Sequence, residues 1–211
     1  MKFLICVLLV FSYVPLTNYF KNKTKKEELS RKLLHILSYA TVWLYSFFIY
    51  RNTIFFIIIP MLFTIISTVL VKFNIAKARN RKENNGTLYE MGGLAFTILS
   101  IITYFKTDFV LSYGLGAFVL IVGDAMASLI GRRYGKYSIK LFNNKTLIGT
   151  LAFIIFSIIG MQIPIMILGI PVVFWKLLLL SIIASIVEIY SKDYDNFFIP
   201  ISVALFSLIL I

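Results

Sequence analysis

The sequence predicts an all-α, polytopic membrane bundle of seven or eight transmembrane helices, and three observations carry that prediction. Of the 211 residues, 60% are hydrophobic and only 14% charged, a balance too apolar for a soluble domain of this length. Uncharged runs approaching the ~20 residues a helix needs to cross a hydrocarbon core recur along the whole chain with little between them. These runs lack the ten-residue in/out alternation of a membrane barrel. Backbone polar groups in lipid have to be satisfied within the spanning element, so helices are what remain.

The spans fall at 3–20, 33–50, 54–71, 91–105, 109–130, 147–165, 170–188 and 197–211, the fourth and the last being short. The first follows Lys2 as a signal peptide would, but SYVPLTNYF offers no small-residue cleavage site and its aromatics suit a membrane interface, so 1–20 is read as a helix. The second opens on RKLLH, which puts Arg31 and His35 on one face with Ser38 a turn deeper. The third is an unbroken Phe/Ile/Val-rich run. The fourth opens within GTLYEMGG, at the Gly pair just after Glu90, which supplies the acidic first turn that favours a helix start. The fifth contains Asp124, the sixth begins within the stretch NKTLIGT, and the seventh closes on Glu188. Between the seventh and eighth, Glu188 and Asp195 stand seven apart and share a face if the segment is helical. With connections this brief the chain reads as one integral-membrane domain, 1–211, with no separate soluble part and no internal repeat.

Charge sets the expected orientation. With the N-terminus outside, all but four (Lys2, Arg51, Lys106 and Lys176) of the 21 Lys and Arg fall in segments 21–32, 72–82 and 132–145 or at Lys192, all on the cytoplasmic side. Topology and anionic lipid headgroups are enough to explain such a basic face, so it implies no nucleic-acid binding. Cys6 and His35 are the sole residues of their types. That excludes an intramolecular disulfide, a cysteine-based metal site and a Cys–His nucleophile pair; the oxygen donors present suit Mg²⁺ instead.

Residues 123–150, GDAMASLIGRRYGKYSIKLFNNKTLIGT, place a carboxylate inside an apolar run and cations after it. If the helix persists, Asp124, Ser128, Arg132 and Lys136 form one ridge, beside a second of Gly123, Ala127, Gly131 and Gly135. Small residues at that spacing let another helix, or a ligand, approach the backbone. A carboxylate at mid-depth costs about 2.5–3.5 kcal/mol on insertion scales, so Asp124 is expected to face a partner or cavity. A salt bridge to Arg132 or Lys145 would serve. So would a role beside phosphates, which glycine-rich backbone and Lys/Arg cradle while a carboxylate holds their Mg²⁺. GRRYGK is not a Walker A loop, being one residue short and followed by Tyr137 rather than Ser or Thr.

RKLLH, GTLYEMGG, GDAMASLIGRRYGK, NKTLIGT and Glu188 followed by DNFFIP occur in the order and spacing of the membrane lipid-alcohol kinases, a family that includes phytol kinases, dolichol kinases and CTP-dependent diacylglycerol kinases. The chain resembles that family from residue 31 onward (core 31–200), and GDAxAxxxGxxxGK with KTxxGT is the specific part. The resemblance implies a polytopic enzyme transferring the γ-phosphoryl group of a nucleoside triphosphate, typically CTP, to a long-chain lipid alcohol. Matching positions are Arg31, Lys32 and His35; Gly123, Asp124, Ala127, Gly131, Gly135 and Lys136; Lys145, Thr146, Gly149 and Thr150; and Glu188, Asp195 and Asn196. Relatives often carry Tyr-Pro-Leu-Gly-like residues where this chain has Glu90 and Met91, which leaves that loop's contact with nucleotide or lipid open.

On this expectation Arg132, Lys136 and Lys145 hold the triphosphate, with Gly131, Gly135, Thr146 and Gly149 forming its cradle. Asp124 and one of Glu188 or Asp195 carry Mg²⁺, and the other acid or His35 takes the alcohol's proton. Arg31, Lys32, Ser128 and Asn196 support them. ATP or another nucleotide could replace CTP as donor. Phytol, shorter isoprenols, a polyprenol and diacylglycerol all remain open as acceptors, because apolar pockets select lipid tails without leaving a motif. Composition fits a bacterial plasma membrane, and the sequence gives no oligomeric state. Two other functions share parts of the pattern. A CDP-lipid-forming cytidylyltransferase also binds CTP beside a membrane, but its closing DRxDS-like stretch is replaced here by DYDNFFIP. A transporter for an anionic solute would place its polar site at mid-membrane, often in inverted repeats.

Overall fold

The computed structural model describes residues 2–24, 27–73, 75 and 87–211. These residues are helical almost throughout, and the described part contains one isolated bridge pair, Lys140 with Thr146, in place of a sheet. Two compact units form, Met1–Tyr104 and Phe105–Ile211.

In the first unit α1 (Lys2–Thr24), α2 (Glu27–Tyr50), α3 (Phe55–Lys72) and α4 (Thr87–Phe105) follow in order. Leu34, His35, Ser38, Tyr39, Val42, Trp43, Ser46 and Phe47 repeat at intervals of three and four on α2, and all are buried. Tyr39 is the hub of this face, its ring centroid 4.7 Å from that of His35, 5.2 Å from Phe63 and 5.0 Å from Phe96. Gly92 explains how α4 comes so close, since a Cβ there would collide with the Tyr39 hydroxyl. The basic residues Lys77, Arg79, Arg81 and Lys82 and the side chain of Glu90 lie outside the described residues.

The second unit opens with a 3₁₀ turn, Thr107–Phe109, and runs through α5 (Val110–Phe118), a π-helical segment (Val119–Asp124), α6 (Ala125–Tyr134) and another 3₁₀ turn at Gly135–Tyr137. After a hairpin come α7 (Leu147–Leu168), α8 (Phe174–Tyr190), a 3₁₀ turn (Lys192–Tyr194) and α9 (Asp195–Leu210). On α7, Gly149, Ala152, Phe153, Ser157, Gly160 and Met161 are buried while Leu151, Ile155, Ile159, Ile163 and Met166 are exposed. A helix apolar on both faces needs an apolar solvent for the outer one, which water is not. Gly169 stops α7 in the left-handed region at φ 66°, its N–H donating to the Ile165 carbonyl at 2.9 Å.

Each of the eight apolar runs read from the sequence falls largely on helical structure. Four stretches, Glu28–Ile49, Thr107–Tyr137, Leu147–Leu168 and Lys192–Leu210, are long and apolar enough to cross a membrane, and Phe55–Leu70 and Met91–Phe105 are shorter apolar helices. Together they mark an integral membrane protein. Two expectations are corrected. The span at 109–130 is not one regular helix, because a π-helical segment interrupts it just before Asp124. Nor does the ridge from Asp124 run to Lys136: α6 ends at Tyr134, where Gly135 packs against Thr146, so only Asp124, Ser128 and Arg132 share it.

Candidate active site

The end of α6, the start of α7, the end of α8 and the start of α9 meet in the second unit, and the connections between them place the polar residues. After Gly135–Tyr137 the chain turns through a hairpin whose legs join by Leu141 N–H to the Lys145 carbonyl at 2.7 Å and Leu147 N–H to the Ile139 carbonyl at 2.9 Å. Its tip, Phe142–Asn144, needs one left-handed residue, and Asn143 supplies it at φ 55°, ψ 33°. Asn tolerates that conformation better than most side chains. The Asn143 amide then donates to the Ile189 carbonyl at 2.9 Å, and Phe142 packs on Tyr190 at 5.4 Å between ring centroids. The hairpin is thus tied to the last turn of α8.

This anchoring delivers Lys145. Its ammonium donates to Glu188 Oε1 and, at 3.3 Å, to Asp195 Oδ2. Asp124, buried at the end of the π segment, is near enough for its charge to act on Lys145 as well. Burial alone would lower the Lys145 pKa; the charges of Asp195 and Glu188, the Glu188 hydrogen bond and the Asp124 charge outweigh it, so the pKa stands above its ordinary value. Lys145 is a fixed cation among three acids. Glu188 and Asp195 come together differently from the sequence expectation: α8 ends at Tyr190 and the chain turns a corner, with Lys192 at φ 50°, before α9 begins at Asp195. They converge across a corner and not along one helix face. Asp195 Oδ1 accepts the Asn196 N–H at 2.9 Å, and Asn196 is buried.

The predicted cradle is built otherwise than a phosphate loop. Thr146 caps α7, its hydroxyl accepting the Gly149 N–H at 3.3 Å. The Ile148 N–H donates to Ser138 Oγ at 3.0 Å, the Leu147 N–H to Ile139, and the Thr150 N–H to the Thr146 carbonyl at 2.9 Å. The N–H groups of Leu147, Ile148, Gly149 and Thr150 at this helix N-terminus are therefore engaged within the protein. Gly131 and Gly149 face one another across α6 and α7, a Cβ on Gly131 lying 3.4 Å from the Gly149 Cα, and Gly135 abuts Thr146. The glycine slot admits α7. Phosphates arriving here would meet side chains: Lys145, the exposed Arg132, and the exposed Lys136, whose ammonium lies 4.6 Å from the Tyr137 ring centroid. Ser128 is half-buried on α6.

Arg31, Lys32 and His35 sit on α2 of the first unit, buried in spite of their polarity, and Arg31 pairs with Glu28, its Nε donating at 3.0 Å. The sequence reading names neither Ser138 nor Asn143, and it takes Lys192 only as a cytoplasmic-side charge. The Asn-Asn pair before Lys145 is the signal that would have found the hairpin tip.

Among the described residues no group of three or more His, Cys, Asp or Glu side chains forms a ready-made metal centre. Mg²⁺ however keeps several waters and takes one or two carboxylates plus substrate phosphates. Glu188 meets that need, since its Oε2 is buried without a hydrogen-bond partner. A buried carboxylate oxygen left bare is costly unless something binds it in function. The residues fit.

No family model matches the chain, and no solved structure matches it. Three curated relatives do. A dolichol kinase of Schizosaccharomyces pombe is 37% identical over 87 residues, 41% of this chain and 17% of the relative. An uncharacterized protein of Rickettsia prowazekii is 27% identical over 197 residues, 84% of this chain and 92% of its own. A CTP-dependent diacylglycerol kinase of Saccharomyces cerevisiae is 29% identical over 163 residues, 67% of this chain and 54% of the relative. The chain thus spans about half of the diacylglycerol kinase and about a sixth of the dolichol kinase.

Proposed function

Since the chain is homologous to two lipid kinases at modest identity, we propose that it is a multi-pass membrane kinase that moves the γ-phosphoryl group of a nucleoside triphosphate to a lipid alcohol. CTP is the donor we assign, and phytol, another isoprenol, a polyprenol or diacylglycerol the class of acceptor. The observation that carries the reading is Lys145 held between Glu188 and Asp195 with Asp124 close by. Phosphoryl transfer asks a protein for positioned cations and acids more than for covalent help, and this cluster offers both.

In this reading Lys145, Arg132 and Lys136 grip the triphosphate. Glu188 and Asp124 would hold Mg²⁺, which when bound neutralises charge on the transferring phosphate. Asp195, the remaining acid, accepts the proton of the attacking hydroxyl; His35 is the other residue for which the sequence suggests that role. Thr146, Gly131, Gly135 and Gly149 act by seating α7 so that Lys145 is presented to the acids. Seven or eight membrane crossings, an external N-terminus and a cytoplasmic site in a bacterial plasma membrane complete the proposal.

The test is label transfer by the purified chain in lipid-containing detergent, with γ-labelled CTP, ATP, UTP and GTP against isoprenoid alcohols and diacylglycerol. Labelled lipid monophosphate with release of nucleoside diphosphate supports the kinase. Release of pyrophosphate with cytidylate on the lipid would replace it by a cytidylyltransferase.

A further inference from the structure

We propose that Lys145 is an internal counterion that keeps Glu188 closed to free divalent cations, so that a cation is admitted only together with nucleotide phosphates that draw Lys145 away. This deepens the function proposed above and rests on it. Three features of the second unit carry it.

The first is charge. Glu188 and Asp195 both bond the Lys145 ammonium and the Asp124 charge acts on it as well, so the lysine is the cation these acids share. The second is occupancy: the Lys145 ammonium already bonds one oxygen of Glu188 and one of Asp195, and the other Asp195 oxygen accepts the Asn196 N–H. Of the four oxygens on those two carboxylates, Glu188 Oε2 alone is buried without a partner. A cation reaching that oxygen while Lys145 stays would be repelled by an ammonium bonded to the same carboxylate. The third is freedom to leave. Lys145 keeps 25% of its side-chain surface exposed while Glu188 keeps 5%, so the lysine has a path to solvent and the acid does not. Lysine is a point charge on a flexible stem and can exchange carboxylate oxygens for phosphate oxygens without moving the backbone. Triphosphate brings the anionic oxygens; once Lys145 has moved to them, Glu188 would be open to the divalent cation that accompanies the nucleotide, and Asp195 would be open to a proton.

The experiment measures Mn²⁺ binding to the full-length chain in detergent by electron paramagnetic resonance, with and without a β,γ-imido analogue of CTP. Wild type should bind Mn²⁺ only when the analogue is present. Lys145→Met should bind one Mn²⁺ without it, roughly a hundredfold more tightly than wild type, because its buried acids lack a counterion. Adding Glu188→Gln should abolish that site. Lys145→Arg, which retains the ion pairs and so the fold, grips carboxylates through a planar fork that is harder to release. It should weaken Mn²⁺ binding in the ternary complex by about tenfold. Wild type binding Mn²⁺ alone as tightly as Lys145→Met, or Lys145→Arg matching wild type in the ternary complex, would overturn the proposal. An analogue that brings no Mn²⁺ to wild type would do so too. Failure of the kinase reading shows separately, as wild type that labels no lipid.

Discussion

Asn143 touches none of the acids, yet it should govern the presentation of Lys145. Two contributions can be worked from the structure. Alanine at φ 55°, ψ 33° occupies a left-handed conformation that costs about 1–2 kcal/mol, more than asparagine pays there. It also loses the hydrogen bond to the Ile189 carbonyl at 2.9 Å, worth about 0.5–1.5 kcal/mol. Asn143→Ala should therefore loosen the hairpin by about 1.5–3.5 kcal/mol, a factor of roughly 10 to 400 in its closed population. Asn143→Gly relieves the backbone and loses only the hydrogen bond, so it should stand between alanine and wild type. The assay is steady-state lipid phosphorylation against nucleotide concentration, with thermal melting alongside. The order wild type, Gly, Ala in kcat/KM for nucleotide, with the global melting temperature shifting little, would show that the hairpin acts by presenting Lys145. Equal activity of both variants and wild type would refute the reasoning.

Other variants probe the neighbouring parts. Lys145→Ala should raise the nucleotide KM at least tenfold, read by the same kinetics. Because the folded pKa of Lys145 is raised, its ion pairs contribute fully at pH values below the ordinary 10.5 and are lost only as pH rises through the folded value. The stability difference between wild type and Lys145→Ala, followed by melting, should thus show no decline as pH rises from neutral to about pH 9. Gly123→Ala drives a methyl into the buried Ser157 hydroxyl and should destabilise by about 1–3 kcal/mol; Ser157→Ala in the same chain should restore part of it. Asp195→Asn and His35→Asn separate the two candidate bases. The variant at the base should lose kcat with an unchanged nucleotide KM, measured at saturating lipid.

The helices were legible because apolar runs of membrane length leave a strong signal, and so was Asp124, a lone carboxylate within one of them. The convergence of Lys145, Glu188 and Asp195 was not. It depends on two left-handed residues, Asn143 and Lys192, that bend the chain at single positions. A seven-residue spacing suggested a shared helix face for Glu188 and Asp195, but periodicity carries no information once the helix ends at Tyr190. The small-residue ridge left two uses open, close packing or ligand approach. Its resolution in favour of α7 rests on the tertiary placement of Thr146 against Gly131 and Gly135. The π-helical segment before Asp124 likewise has no local sequence signature, although such segments often mark functional sites.

The most direct measurement is γ-phosphate transfer from labelled CTP to a lipid alcohol by wild type and by Asp124→Asn, each shown to be folded by its melting profile. The kinase reading predicts labelled lipid monophosphate from wild type and at least about a hundredfold less from the variant, the range in which loss of a preorganised electrostatic group falls. Equal label from both would remove Asp124 from the chemistry. No label from wild type with any donor or acceptor would contradict the kinase itself.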